Sequence, residues 1–257
     1  MTNTSAVPPE TTPTAPEATT EKVALGWTHT ARFLTTASQL VHLPATELPE
    51  IAFVGRSNAG KSTAINQLAQ QKRLAFASKT PGRTQHINLF ELGPKDAADC
   101  LFADLPGYGY AAVARSAKLR WQKVMADYLE VRRSLSGLVL MVDSRLGLTE
   151  LDKQLLEFVT DRIANGSVRL LVLLTKADKL NRKEANAVLA STQEFLGGIA
   201  TEESEIVVTL FSALKKQGIG DVALVLHDWT RRTLAAAAAS AAFAASAPAE
   251  PAETKPE

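Results

Sequence analysis

The sequence predicts an α/β fold: a mostly parallel sheet with one antiparallel strand and helices on both faces. Three observations carry that expectation. Apolar runs such as "IAFVG", "GLVLMVD", "VRLLVLLTK" and "EIVVTLF" recur along the chain. Near-continuous runs of this kind are strands buried on both sides. The segments between them have helical length and apolar residues three and four apart, which is the βαβ rhythm of a parallel sheet. Finally, "HINLFEL" and "CLFADL" are joined only by "GPKDAAD", too short for a crossover, so those two strands run antiparallel.

The elements follow in order. Residues 1–21 are mainly Thr, Pro, Ala and Glu, without the apolar side chains that offset ordering entropy, and are expected to be a disordered tail. Residues 22–234 form the body. "ARFLTTAS" is a first strand and "IAFVG" a short buried one; "KSTAINQLAQ" is a helix with Ile65 and Leu68 on one face. After the "HINLFEL"/"CLFADL" pair come the helix "KLRWQKVMADYLEVRR", the strand "GLVLMVD", the helix "TELDKQLLEFVTDRIA" and the strand "VRLLVLLTK". "NRKEANAVLASTQEFL" is a helix ended by Gly197 and Gly198. "EIVVTLF" is the last strand and "GDVALVLHDWTRRTLA" the last helix. Residues 235–257 are a second tail, whose alanines extend that helix before "SAPAEPAETKPE" breaks it.

Bulk properties narrow the class. With 257 residues and 46% apolar content the chain can bury a real core. The single cysteine, Cys100, lies in an apolar run; it cannot form an internal disulfide and is expected to be a small buried hydrophobe. No secretory leader pattern and no membrane-spanning stretch is visible, so a cytosolic protein is expected. The net charge of +1 conceals acidic tails around a mildly basic body, which is compatible with an RNA partner without requiring one.

The chemistry begins at "GRSNAGKST", directly after "EIAFV". Gly55, Gly60, Lys61 and Ser62 satisfy G-x-x-x-x-G-K-[ST] in the strand–loop–helix setting of a P-loop NTPase. Such a loop curls its N–H groups around an anion, and Gly60 permits the close approach. Lys61 reaches the β and γ phosphates, the helix start adds free N–H groups, and Ser62 offers an oxygen to Mg²⁺. "CLFADLPG" then ends a strand in Asp104, three residues before Gly107. The carboxylate can hold Mg²⁺ through a water, and the Gly107 N–H can sense the γ-phosphate.

"LLVLLTKADK" puts Thr175, Lys176 and Asp178 just after another strand, at the end where open α/β sheets bind ligands. Asp178 can accept from two N–H groups of a guanine edge. Adenine lacks that pair and would leave a desolvated carboxylate unmatched. The stem of Lys176 can lie over the ring. "LFSALKKQG" follows the next strand, and a backbone N–H near Ser212 and Ala213 can donate to the guanine carbonyl. A lone "TKAD" would be no more than a charged loop; three such strand ends in order specify guanine.

Together "GRSNAGKST", "KTPGRTQ", "DLPGYGYA", "TKADK" and "FSALKKQG" resemble the EngB (YihA/YsxC) group of bacterial translation-factor-class GTPases, from about "ARFLTTAS" to the last helix. The resemblance implies a Ras-like G domain that hydrolyses GTP to GDP and serves assembly of the large ribosomal subunit and normal septation at cell division. Carried over position by position, the GTP contacts would be Gly55, Arg56, Ser57, Asn58, Ala59, Gly60, Lys61 and Ser62; Gly82, Arg83, Thr84, Gln85 and His86; Asp104, Leu105, Pro106 and Gly107; Thr175, Lys176, Ala177 and Asp178; and Phe211, Ser212 and Ala213. Mg²⁺ would be held by Ser62 and Thr84, with Asp104 acting through water. Lys61, Thr84 and Gly107 would carry the catalysis.

Within that frame, "SKTPGRTQH" is expected to be the first switch, its Thr84 ligating Mg²⁺ only with GTP bound. "PGYGYAAVARSAK" would be the second, hinged at Gly107 and Gly109. The place that in many signalling GTPases holds a water-orienting glutamine is Tyr108, a poor base with a reference pKa of about 10. Slow intrinsic hydrolysis is therefore expected, with help from a ribosomal surface or from K⁺ held partly by Asn58, as related GTPases with an Asn there imply. Thr175 stands where the general guanine motif has Asn and is expected to lack that amide's tether, giving modest affinity. His29, His42, His86 and His227 have no metal-ligand spacing. Trp121 and Trp229 are packing residues. Lys118, Arg120, Lys123, Arg132 and Arg133 are a solvated helix face or an rRNA contact. A monomer is expected. The competing readings are a recruitment switch at the division site with no ribosome role, and a kinase, for which "GPKDAAD" is too short a lid.

Overall fold

The computed structural model describes residues 20–75, 86–109 and 115–246. In chain order the elements are α1 (Glu21–Thr28), β1 (Arg32–Ala37), β2 (Glu50–Gly55), α2 (Lys61–Leu68), β3 (Ile87–Leu92), β4 (Cys100–Asp104), α3 (Arg115–Val131), β5 (Leu135–Asp143), α4 (Glu150–Ala164), β6 (Arg169–Thr175), α5 (Arg182–Gly197), β7 (Ile206–Leu210) and α6 (Ile219–Ser246). The strands form one sheet in the order β1-β3-β4-β2-β5-β6-β7. β3 is antiparallel to both neighbours, and the remaining pairings are parallel. β3 is thus the one strand running against the rest.

The alternation within each strand builds two cores. Ala52 and Val54 of β2, Leu101 and Ala103 of β4, and Leu138, Leu140 and Val142 of β5 face Tyr128 and Leu129 of α3 and Leu155, Leu156 and Val159 of α4. Ile51 and Phe53, Cys100 and Phe102, and Val139 and Met141 face the opposite way, onto Ile65 and Leu68 of α2 and Val222, Leu226 and Trp229 of α6. Each fully buried side chain of this size contributes about 1.5–3 kcal/mol. The three-layer α/β architecture is the one the strand runs imply, and Cys100 is a buried core residue.

Three features go beyond the sequence expectations. α1 was not foreseen: it is capped by Thr20, whose hydroxyl accepts from the Val23 N–H. It buries Ala24 and Trp27 in the α6-side core, and the Trp27 indole N–H donates to Asp99 at 2.8 Å. β1 adds an edge strand to β3, with a register shift between Phe33 and Thr35. Arg132 does not belong to a solvated face. Its guanidinium pairs with Glu50 at 2.9 Å and donates to the Pro44 carbonyl, because the start of β2 brings a fully buried carboxylate beneath the end of α3. Trp229 is a packing residue as expected, with its indole N–H satisfied by Glu205 at 2.7 Å.

Candidate nucleotide-binding site

The parallel strands β2, β4, β5 and β6 all end on one edge of the sheet, where the sequence motifs lie. β2 ends at Gly55 and the loop 56–60 leads into α2. Gly60 has φ 101°, a conformation that costs a residue with a Cβ, and a Cβ built there would meet open space. Backbone at this point is approachable by a ligand. Three side chains occupy the loop's carbonyls: Lys61 Nζ donates to Gly55 at 3.1 Å, Lys176 Nζ to Asn58 at 2.9 Å and Thr175 Oγ1 to Ala59 at 2.8 Å.

The Thr175 contact corrects an expectation. Threonine is shorter than asparagine, yet it tethers the phosphate loop. β6 packs in register beside β5, which carries the hydroxyl to both the Ala59 and the Val142 carbonyls. Lys176 has a left-handed φ of 58° that turns its ammonium onto Asn58 and Asp143, the latter at 2.8 Å. Arg145 also pairs with Asp143. Hydrogen bonds from Arg145 and Lys176 hold the Asp143 carboxyl well below the usual carboxylate range. No sequence motif marked Asp143.

Lys61 and Asp104 are both buried. Burial lowers the Lys61 pKa, with Asp104 opposing it; burial raises that of Asp104 against the pull of Lys61 and the Ser62 hydroxyl. Ser62 Oγ donates to Asp104 Oδ2 at 3.0 Å. The other oxygen, Oδ1, is buried and has no hydrogen-bond partner among the described residues. Such an orphan costs about 1–3 kcal/mol unless a ligand supplies the missing donor. A hydroxyl and a half-unsatisfied carboxylate side by side are hard oxygen donors of the kind Mg²⁺ and its bound waters require, so these residues fit the metal.

Gly107 lies against the loop: a Cβ there would sit 2.7 Å from Lys61 Nζ and 3.0 Å from the Ser57 backbone. A side chain there would have to displace the Lys61 ammonium and crowd the Ser57 backbone. Tyr108 N–H donates to the Gly55 carbonyl at 3.2 Å, and Ser57 N–H donates to the Tyr108 carbonyl at 2.8 Å. Tyr108, the residue after Gly107, is thus pinned to the loop through both its N–H and its carbonyl. Gly109 has a left-handed φ of 79°. The Tyr108 side chain is buried and turned to Asp152 of α4, and burial with that carboxylate beside it pushes its phenol far up.

At the base motif Ser212 Oγ donates to Asp178 Oδ1 at 2.6 Å, which is the main reason the Asp178 pKa lies below the usual carboxylate value. Ala177 N–H donates to the Phe211 carbonyl at 3.1 Å, locking the loops after β6 and β7 together. The first-switch residues Gly82, Arg83, Thr84 and Gln85 lie outside the described residues; His86 immediately precedes β3. Sequence reasoning also missed Asn66 on the buried face of α2. Its amide pairs with the Ala75 backbone in both directions, at 2.8 and 2.7 Å. A polar residue on an otherwise apolar helix face was the available signal.

Residues 50–176 match a protein-family model described as "50S ribosome-binding GTPase". The chain is 62% identical over 205 residues to a "Probable GTP-binding protein EngB" of Acidovorax ebreus, covering 80% of this chain and 90% of that protein. It is 59% identical over 215 residues to that of Albidiferax ferrireducens, covering 84% and 100%. With that of Burkholderia multivorans it shares 49% identity over 209 residues, covering 80% and 94%. Among solved structures it resembles a crystal structure of "a probable GTP-binding protein engB", with TM-score 0.52 and 23% identity over 71% of this chain and 99% of that one. It also resembles Era in complex with MgGDPNP and a segment of 16S ribosomal RNA, with TM-score 0.55 and 23% identity over 72% and 57%. At such identities the structural likeness is one of fold.

Proposed function

Because the chain belongs to the EngB family of GTP-binding proteins, we propose that it is a slow GTPase switch for assembly of the large ribosomal subunit, needed in turn for normal cell division and septation. The observation that carries this reading is the half-satisfied, buried Asp104 beside Ser62 and Lys61, on the same sheet edge as Asp178. Lys61 sits where its ammonium can leave the Gly55 carbonyl for phosphate oxygens. Asp178, kept ionised by Ser212, accepts from the guanine edge. Lys176, its ammonium pinned at the loop, walls the base with its stem. Ser62 and Thr84 would hold Mg²⁺, with Asp104 engaged through a water. The metal, when bound, neutralises charge on the phosphate oxygens.

The rate is slow because the side chain following Gly107 is withdrawn. Tyr108 is committed to Asp152 and its phenol stays protonated, so it neither orients nor deprotonates an attacking water. Acceleration comes from outside: the ribosomal particle, or K⁺ partly held at the exposed Asn58, adding positive charge where the transition state spreads its negative charge. GTP hydrolysis proceeding equally fast in potassium and sodium buffers would dispose of the potassium contribution. Among the described residues no helix is long and apolar enough to cross a membrane; the protein is proposed to work as a cytoplasmic monomer.

Sedimentation of cell extract tests the ribosomal role. With a non-hydrolysable GTP analogue the protein should migrate with large-subunit particles, and with GDP it should stay at the top of the gradient. Migration independent of nucleotide, or confined to division-site membranes, would replace the assembly role with recruitment.

A further inference from the structure

We propose that Asp152 is a positioning residue for the γ-phosphate-sensing loop: through Tyr108 it fixes Gly107 against Lys61 and the phosphate loop. The inference rests on the GTPase reading above and extends it to α4, which contributes no nucleotide motif. Asp152 is buried at the start of α4. Its Oδ2 accepts from the Thr149 N–H at 2.8 Å and the Thr149 hydroxyl at 2.6 Å, so the carboxylate is rigidly seated. Its Oδ1 accepts the Tyr108 hydroxyl at 2.6 Å, the short contact of a charge-assisted O–H···O⁻ bond.

Tyr108 is thereby held at three points. Its N–H is on Gly55, its carbonyl receives Ser57, and its hydroxyl is on Asp152. Both backbone contacts fall on the phosphate loop, and the residue before Tyr108 is Gly107, in van der Waals reach of Lys61 Nζ. A loop that must distinguish a terminal phosphate from its absence needs its N–H placed to within about 0.5 Å. The phenol link adds a third contact, to α4.

A purely structural role would make Asp152 no more than the cap of α4, and the two roles separate by mutation. Tyr108→Phe keeps the ring and the cap but removes the link. It should weaken GTP about tenfold relative to GDP and lower kcat by a similar factor with GDP affinity close to wild type, while Tm falls because the buried Asp152 Oδ1 loses its donor. Thr149→Val removes a cap hydrogen bond but not the link, and should lower Tm while leaving the GTP/GDP preference unchanged. Asp152→Ala should reproduce the Tyr108→Phe loss, and Asp152→Asn, which retains an acceptor for the phenol, should recover most of it. The double variant Tyr108→Phe/Asp152→Ala should lose no more preference than either single one. A Tyr108→Phe protein within twofold of wild type in GTP/GDP preference and kcat overturns the proposal, as does an equal loss in Thr149→Val. Wild-type protein showing no preference for guanine nucleotides over ATP would instead overturn the GTPase reading itself.

Discussion

Two carboxylates lie buried at opposite ends of the central strands, and their surroundings differ in one respect. Glu50 opens β2 at the lower edge of the sheet and is saturated: the Tyr128 hydroxyl, the Arg132 guanidinium and the Ser134 hydroxyl all donate to it. Asp104 closes β4 at the upper edge with one oxygen on Ser62 and the other, among the described residues, on nothing. Both are almost wholly removed from water. A buried carboxylate with a full set of donors and an adjacent cation holds elements together, here β2 to α3. One left short of donors, with a partly desolvated lysine near it, holds free energy in reserve for a ligand.

The widest separation between the two should come from removing charge at the upper edge. Asp104→Asn is expected to lower single-turnover GTP hydrolysis by about 10²–10³-fold, the scale for losing one electrostatic stabiliser, with Tm unchanged or higher because a desolvated charge is gone. The opposite pattern should follow at the lower edge. Glu50→Gln strands Arg132 and is expected to cost about 3–5 kcal/mol in denaturant unfolding, with hydrolysis per folded molecule within twofold of wild type. Smaller is the effect of Thr175→Ala, which frees the Ala59 carbonyl and should weaken GTP and GDP alike by about tenfold in equilibrium titration. An effect confined to GTP would show that the tether acts on the terminal phosphate rather than on the loop as a whole.

The smallest difference is in pH dependence. The native Asp104 carboxyl holds its proton above the reference value of 3.8. Between that value and the raised one the native state binds more protons than the unfolded state, so nucleotide-free stability is lost as pH rises through the window. Asp104→Asn should therefore gain on wild type in urea unfolding as pH rises from about 4, and the gap should close with GTP and Mg²⁺ present. A gap that is flat with pH would mean that Asp104 is not desolvated.

The same contrast marks what could be read from sequence. Strands β5 and β6 declare themselves because burial on both faces demands unbroken apolar runs. The nucleotide motifs are legible because a phosphate loop fixes residue types at adjacent positions. Glu50 gave no such signal: its partners lie 78–84 positions away. Tyr108 and Asp152 are 44 positions apart. Helix α1 is only eight residues long and abuts a Thr/Pro/Ala segment, so composition hid it. The spacing of Thr20, Ala24, Trp27 and Thr28 could nevertheless have exposed a cap and one apolar face. Thr175 was misjudged because side-chain length was weighed without the strand register that sets its reach.

The carbonyls of Gly55, Arg56, Asn58 and Ala59 are all taken, by Lys61, the Ala59 N–H, Lys176 and Thr175. The amides of Asn58 and Gly60 meet no acceptor among the described residues. The turn is therefore poled before anything arrives: these four carbonyls are spent inward on the protein's own ammonium, hydroxyl and amide donors, while the Asn58 and Gly60 amides are left for a visitor. Sign discrimination at this edge belongs to the resting polypeptide.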